Sequence, residues 1–201
     1  GTVFASLPMS LVTLYNAPLA ARDVLALSVS QSGQSPDVVE PMGWFRQRGG
    51  TTVALVNDTA SPLAAAAEWV LPLRAGREQS VAATKSFICS LTAGARLVAH
   101  WQKDAALLQG LSALPEDLRQ AATCDWSAAL EVLVPARNIM VIGRGPGFSI
   151  ALEAALKFKE TSALQAEAFS SAEVRHGPMA LVEEGYPLLI FAARGPTQPG
   201  L

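Results

Sequence analysis

Long runs of one charge are missing from this 201-residue chain. Its 15 Lys and Arg and 17 Asp and Glu are scattered, leaving a formal net charge of −2. No basic stretch could follow a nucleic-acid backbone, so nucleic acid is not an expected partner. Apolar runs of membrane length are missing too. Charge or proline breaks each one well before the ~20 residues that a spanning helix needs. No membrane association is expected, no signal-peptide pattern opens the sequence, and the cytoplasm is the expected location. Cysteine is scarce. Cys89 and Cys124 have no metal-ligand spacing and no histidine nearby, and they read as two buried thiols in a reducing compartment. No metal and no organic cofactor is expected. Histidine is equally scarce, with His100 inside a helical stretch and His176 before Gly177-Pro178. The sequence starts at Gly1 rather than methionine and stops in a Gly/Pro loop after Arg194. Missing segments are therefore expected at both ends.

Half of the residues are hydrophobic and 16% are charged. That balance suits a packed α/β protein and excludes a disordered chain. Short apolar runs alternate with helical patterns. Asp23–Val29 and Thr51–Val56 read as buried parallel strands, with a helix over Asp37–Arg48 between them. Ser61 is placed as a helix N-cap and Pro62 as the first helical residue, and Trp69–Leu73 follows as another strand. Long helical patterns occupy 81–109 and 115–133, with a break expected at Gly110–Pro115. The alternation then restarts with a strand at Asn138–Ile142, a turn at Gly143–Gly147, a helix at Phe148–Ala163 and a strand at Pro187–Ala193. This order predicts two α/β subdomains, 1–112 and 113–201, each a parallel sheet flanked by helices.

Two segments carry chemistry. Ser30-Gln31-Ser32-Gly33-Gln34-Ser35 lies between a strand end and a helix start. Ligands bind at that edge of an open parallel sheet, and free N–H groups of a helix N-terminus suit a phosphate. Ser30, Ser32 and Ser35 add hydroxyls, and Gly33 permits a close backbone approach. The turn holds no lysine, so it is not a nucleotide P-loop. Gly143-Arg144-Gly145-Pro146-Gly147 is a similar turn without the third glycine of a dinucleotide fingerprint. The second chemical segment is the helix after it, where Glu153, Lys157 and Glu160 share a face. The plain reading is a solvated face with an i, i+4 ion pair. His176 lies in a polar loop, where an imidazole can exchange protons near neutral pH.

Four stretches together resemble the sugar isomerase (SIS) domain family: LSVSQSGQSPD (27–37), REQSVAATKSF (77–87), IGRGPGFSIALEAALKFKETS (142–162) and AEAFSSAEVRHGPMALV (166–182). The likeness is strongest to the isomerase half of glucosamine-6-phosphate synthases and their short relatives without a glutaminase. The resemblance implies two flavodoxin-like α/β subdomains, in a homodimer with sites completed across the interface. It implies that Ser30, Gln31, Ser32 and Ser35 hold a sugar phosphate and that Val81 lies beside the sugar. It further implies that Glu160 moves a proton between C1 and C2, that Lys157 sits near the reacting oxygens, and that His176 opens the ring and serves the neighbouring subunit.

Three functions follow as alternatives. One is a phosphosugar isomerase or amino-sugar-phosphate deaminase-isomerase working through an enediol or enolamine. Another is the isomerase part of a glutamine-fed synthase. The third is a non-catalytic sugar-phosphate-binding regulator, which has no need of Lys157, Glu160 and His176. The sequence does not choose the sugar, the nitrogen source or the direction.

Overall fold

The computed structural model describes residues 2–201. They form two compact units, the first ending at Gln120 and the second spanning Ala121–Leu201.

The first unit begins with a single helical turn, α1 (Ser10–Thr13). It continues β1 (Leu25–Ser30), α2 (Pro36–Gln47), β2 (Thr51–Val56), α3 (Pro62–Ala66), β3 (Trp69–Pro72), α4 (Lys85–Gln102) and α5 (Ala105–Ala122), whose last two residues fall in the second unit. The three strands are parallel in the order β1-β2-β3, with Ser30 opposite Val56 at the carboxyl end. β2 is the central strand and alternates between two cores. Ala54 and Val56 pack with Met42 of α2 and Leu63 of α3, whereas Val53 and Leu55 pack with Leu73, Cys89 and Ala93. Helices thus cover both faces of the central strand β2, as a buried parallel strand requires, whereas β1, expected to be buried, leaves Leu25, Leu27 and Val29 exposed on one face. Ser61 caps α3, its Oγ accepting the Ala64 N–H at 3.3 Å.

The second unit runs α6 (Ser127–Leu133), β4 (Asn138–Gly143), α7 (Pro146–Ser162), β5 (Gln165–Ser170), α8 (Ser171–Val174) and β6 (Leu188–Ile190). Its strands are also parallel, in the order β5-β4-β6. Ile139 and Val141 face Ala151 and Ala155 of α7, while Met140 and Ile142 face Val174. Gly143 ends β4 against the start of α7. A Cβ there would lie 2.2 Å from the Gly147 carbonyl oxygen and 2.7 Å from the Phe148 nitrogen. Backbone cannot step aside as a side-chain tip can. Gly143→Ala is therefore expected to destabilise the second unit by about 1–3 kcal/mol, the range for overpacking, as read by urea denaturation.

The structure departs from the sequence reading in several further places. Gln165–Ser170, to which the sequence reading assigned no element, is a strand beside β4. The helices read over 81–109 and 115–133 are divided elsewhere: α4 starts at Lys85 and ends before Lys103, α5 runs through Gly110 and Pro115 without interruption, and α6 starts only at Ser127. The division between units falls at 120/121 rather than 112/113. Cys89 is half-buried but Cys124 is exposed, so the two thiols do not share a buried setting. No helix among the described residues is long and apolar enough to cross a membrane.

Candidate sugar-phosphate and proton-transfer sites

The serine turn of the first unit is a braced loop. Ser30 Oγ accepts the Gly33 N–H at 3.0 Å, which closes the turn and leaves the Ser30 hydroxyl proton free to donate. The Leu63 N–H donates to the Gly33 carbonyl at 3.1 Å, pinning the turn to α3. Gly33 adopts φ +63°, and Ser61 lies where a Cβ would point. Ser35 is the N-cap residue of α2, yet its hydroxyl makes no capping bond. That hydroxyl is exposed and uncommitted. Pro36 fills the first helical position, where no N–H partner is needed. Ser30, Gln31 and Ser32 are half-buried and Ser35 is exposed, so the turn brings all four residues to one accessible edge. Val81 lies in the loop before α4 and is 100% exposed.

In the second unit, α7 brings Lys157 and Glu160 together. The Lys157 Nζ donates to Glu160 Oε2 at 2.6 Å and lies 3.1 Å from Glu153 Oε1. Glu153 is the residue whose role sequence reasoning missed. It read as a surface partner of Lys157, whereas the ammonium is shared by two carboxylates. The three side chains are 20–31% exposed, so the cluster is partly screened from solvent, with Glu160 its most open member. The hydrogen bond that Lys157 donates to Glu160 raises the Lys157 pKa above its ordinary 10.5, with desolvation opposing and Glu153 adding to the rise.

A raised folded-state pKa has a definite sign. The stability it contributes is complete below the unfolded lysine value and is lost as pH climbs through the higher folded value. Lys157 therefore stays cationic across the neutral range. Glu153→Gln is expected to bring the Lys157 titration back toward 10.5 without reaching it, since Glu160 supplies the larger effect. NMR titration of the Lys157 side chain checks this. An unchanged midpoint would mean that Glu153 does not act on the ammonium.

His176 follows α8 in an exposed turn, and its backbone N–H donates to the Glu173 carbonyl at 2.9 Å. No contact joins its ring to Lys157 or Glu160 among the described residues. Two groupings thus result, the serine turn in one unit and the Glu153-Lys157-Glu160 cluster in the other, with Val81 and His176 on exposed loops. No group of three side chains able to hold a metal ion occurs among the described residues.

Comparison with known proteins agrees with this frame. The SIS domain profile matches residues 11–99 and 132–199. A glutamine–fructose-6-phosphate aminotransferase (isomerizing) of Bartonella quintana is 36% identical over 189 residues, covering 89% of this chain and 31% of that enzyme. A solved structure from Silicibacter pomeroyi DSS-3, provisionally named a phosphosugar isomerase, is 45% identical with a TM-score of 0.90. It covers 97% of this chain, which spans 60% of it. Glucosamine-6-phosphate deaminase from Thermotoga maritima superimposes with a TM-score of 0.73 at 26% identity, covering 93% of this chain and 58% of its own. Two parallel, helix-flanked sheets, the first ending in a strand-to-helix serine turn, place the chain among α/β proteins of flavodoxin-like build. Within that class, the chain belongs to the SIS domain family. It spans about a third of the length of the aminotransferases it matches.

Proposed function

We propose that the chain is the sugar-binding and proton-transfer part of a phosphosugar isomerase or amino-sugar-phosphate deaminase-isomerase. Its substrate is a hexose 6-phosphate such as glucosamine-6-phosphate or fructose-6-phosphate. The observation that carries this reading is the serine turn, closed by its own Ser30–Gly33 bond with the Ser35 hydroxyl left uncommitted at a helix N-terminus. That arrangement supplies donors to an anion without any rearrangement.

In the proposed reaction His176 assists ring opening. Glu160 removes a proton from C1 or C2 of the open chain and returns it to the neighbouring carbon. The intermediate enediol or enolamine places negative charge on oxygen, and Lys157, held cationic by its two carboxylates, stabilises that charge. The phosphate, bound by Ser30, Gln31, Ser32 and Ser35 with Val81 beside the sugar, anchors the substrate away from the reacting carbons. In this reading the protein is a homodimer in which exposed His176 completes the site of the second copy. A monomer at micromolar concentration in sedimentation of the full-length protein would count against the dimer.

The isomerase part of a glutamine-dependent synthase is the second reading. It is favoured by the 36% identity to an aminotransferase of which this chain spans 31%. An activity panel on the full-length protein separates the two, using glucosamine-6-phosphate, fructose-6-phosphate with ammonia, and fructose-6-phosphate with glutamine. Turnover of the first two supports the deaminase-isomerase, and turnover only with glutamine supports the synthase. Absence of turnover with retained sugar-phosphate binding returns the regulator.

Ser35→Ala tests the anion site directly. Because Ser35 does not cap α2, the change is expected to leave thermal stability within about 0.5 kcal/mol, the usual range for such surface changes. Sugar-phosphate affinity is expected to fall about tenfold, the size of one hydrogen bond to a charged group. Calorimetry reads the affinity, and an unchanged value would remove Ser35 from the site.

A further inference from the structure

Beside the serine turn, a cleft of about 430 Å³ opens at the carboxyl edge of the β1-β2-β3 sheet. Gln31, Asn57, Asp58, Arg74, Arg77 and Glu78 line it. Gln31 belongs to the serine turn, and its carbonyl accepts the Asp58 N–H at 3.4 Å, so turn and cleft are continuous. The loop bearing the two arginines is held from several sides. Asn57 Oδ1 accepts the Ala75 N–H at 2.8 Å, and its Nδ2 donates to the Gly76 carbonyl at 2.7 Å. Lys85 Nζ donates to the Arg77 carbonyl at 2.7 Å. Arg74 itself sits at φ 54°, a left-handed conformation uncommon for a residue with a side chain.

The two carboxylates of the cleft are committed elsewhere. Glu78 Oε2 accepts the Ser86 N–H at 2.9 Å, the Ser86 hydroxyl at 2.8 Å and the Thr84 N–H at 3.3 Å, at the start of α4. Those bonds, that of the Ser86 N–H foremost, hold the Glu78 pKa below its ordinary value. Asp58 Oδ1 accepts the Ala60 N–H at 3.0 Å. Neither arginine forms an ion pair with either carboxylate, and no guanidinium hydrogen bond is made by Arg74 or Arg77 among the described residues. A braced loop therefore brings two unpartnered guanidinium groups to one cleft. An anion entering the cleft would supply acceptors to both sets of guanidinium donors.

We propose that Arg74 and Arg77 form a second anion subsite, so that a hexose 6-phosphate carrying a further carboxylate or phosphate is bound in preference to one carrying the 6-phosphate alone. The inference rests on the sugar-phosphate reading of the serine turn. The 6-phosphate occupies Ser30–Ser35, and the second anion reaches the arginines past Gln31. Guanidinium groups suit either anion, since their paired N–H donors match the oxygens of both.

The test is calorimetry on the full-length protein with fructose 6-phosphate, fructose 1,6-bisphosphate and 6-phosphogluconate. The last two separate a second phosphate from a carboxylate. The expected result is at least one doubly anionic ligand bound about tenfold or more tightly than fructose 6-phosphate, with that preference lost in the Arg74→Gln/Arg77→Gln variant. Glutamine keeps most of the side-chain length, and circular dichroism confirms the fold. Arg96→Gln, which removes a charge outside the cleft, is expected to keep the preference. Equal affinity for all three ligands, or a preference that survives the double substitution, overturns the subsite while leaving the serine-turn reading in place. Loss of the preference in Arg96→Gln as well overturns it in favour of a general field. Failure of all three ligands to bind the unsubstituted protein overturns the serine-turn reading and the subsite together.

Discussion

Glu160→Gln is expected to abolish turnover while leaving sugar-phosphate binding nearly intact. Glutamine keeps the size and much of the hydrogen-bonding shape of glutamate but accepts no proton from carbon. General base catalysis contributes about 10²–10⁴-fold, so kcat should fall by that much on the best substrate. The proposed phosphate-binding groups at Ser30–Ser35 lie in the first unit and Glu160 in the second, so the affinity has no local reason to change. The substitution also removes the carboxylate nearest to the Lys157 ammonium, leaving Glu153 as its charged partner. The Lys157 titration should therefore move down further than in Glu153→Gln. This second readout shows that the substituted side chain reached the intended cluster, whatever happens to the rate. Retention of more than about a tenth of the rate lies below the general-base range and would remove Glu160 from the chemistry.

The sequence made the strands at the centre of each sheet legible. Thr51–Val56 has the predicted bounds and Asn138–Gly143 nearly so. Both are β-branched or large apolar runs buried on both faces, which gives a continuous signal. Ser61 and Pro62 mark the start of α3 as expected, because cap chemistry is local. β5 was hidden for the opposite reason. Its inward positions, Ala166 and Ala168, are small, and Gln165 and Glu167 alternate with them, so the pattern has little apolar contrast.

The expected break at 110–115 failed differently. Gly110 and Pro115 are poor helix residues, yet α5 has good helix formers on both sides and an ion pair between Glu116 and Arg119. At the candidate site, the serine turn is contiguous and could be read directly. The sharing of Lys157 could not. Glu153 at i−4 and Glu160 at i+3 are both within reach of one lysine on a helix, and only the side-chain conformation selects between one partner and two.

Gly33→Ala should be the most damaging small substitution in the first unit, and its cause can be dissected. Alanine at φ +63° costs about 1–2 kcal/mol from the left-handed backbone alone. Its Cβ would also stand 2.3 Å from Ser61 Oγ and 2.7 Å from Ser61 Cβ. Ser61 is 1% exposed and cannot retreat without giving up its capping bond to Ala64. Overpacking of this kind adds about 1–3 kcal/mol. Urea denaturation should therefore show a loss of roughly 2–5 kcal/mol. Sugar-phosphate affinity should fall with it, since the Gly33 N–H closes the turn onto Ser30.

Gly43→Ala is the control. Gly43 lies inside α2, and its added Cβ would meet nothing within 4 Å. Alanine there should raise stability by about 0.5–1 kcal/mol through helix propensity. Adding Ser61→Gly to Gly33→Ala deletes both closest clashing atoms, and glycine at an N-cap costs only a few tenths of a kcal/mol. The double variant should then recover the steric part of the loss and keep the backbone part, with affinity returning in proportion. If Gly33→Ala is as stable as the unsubstituted protein, the turn does not need glycine's conformation. If Ser61→Gly restores nothing, the contact with α3 is not what shapes the anion site.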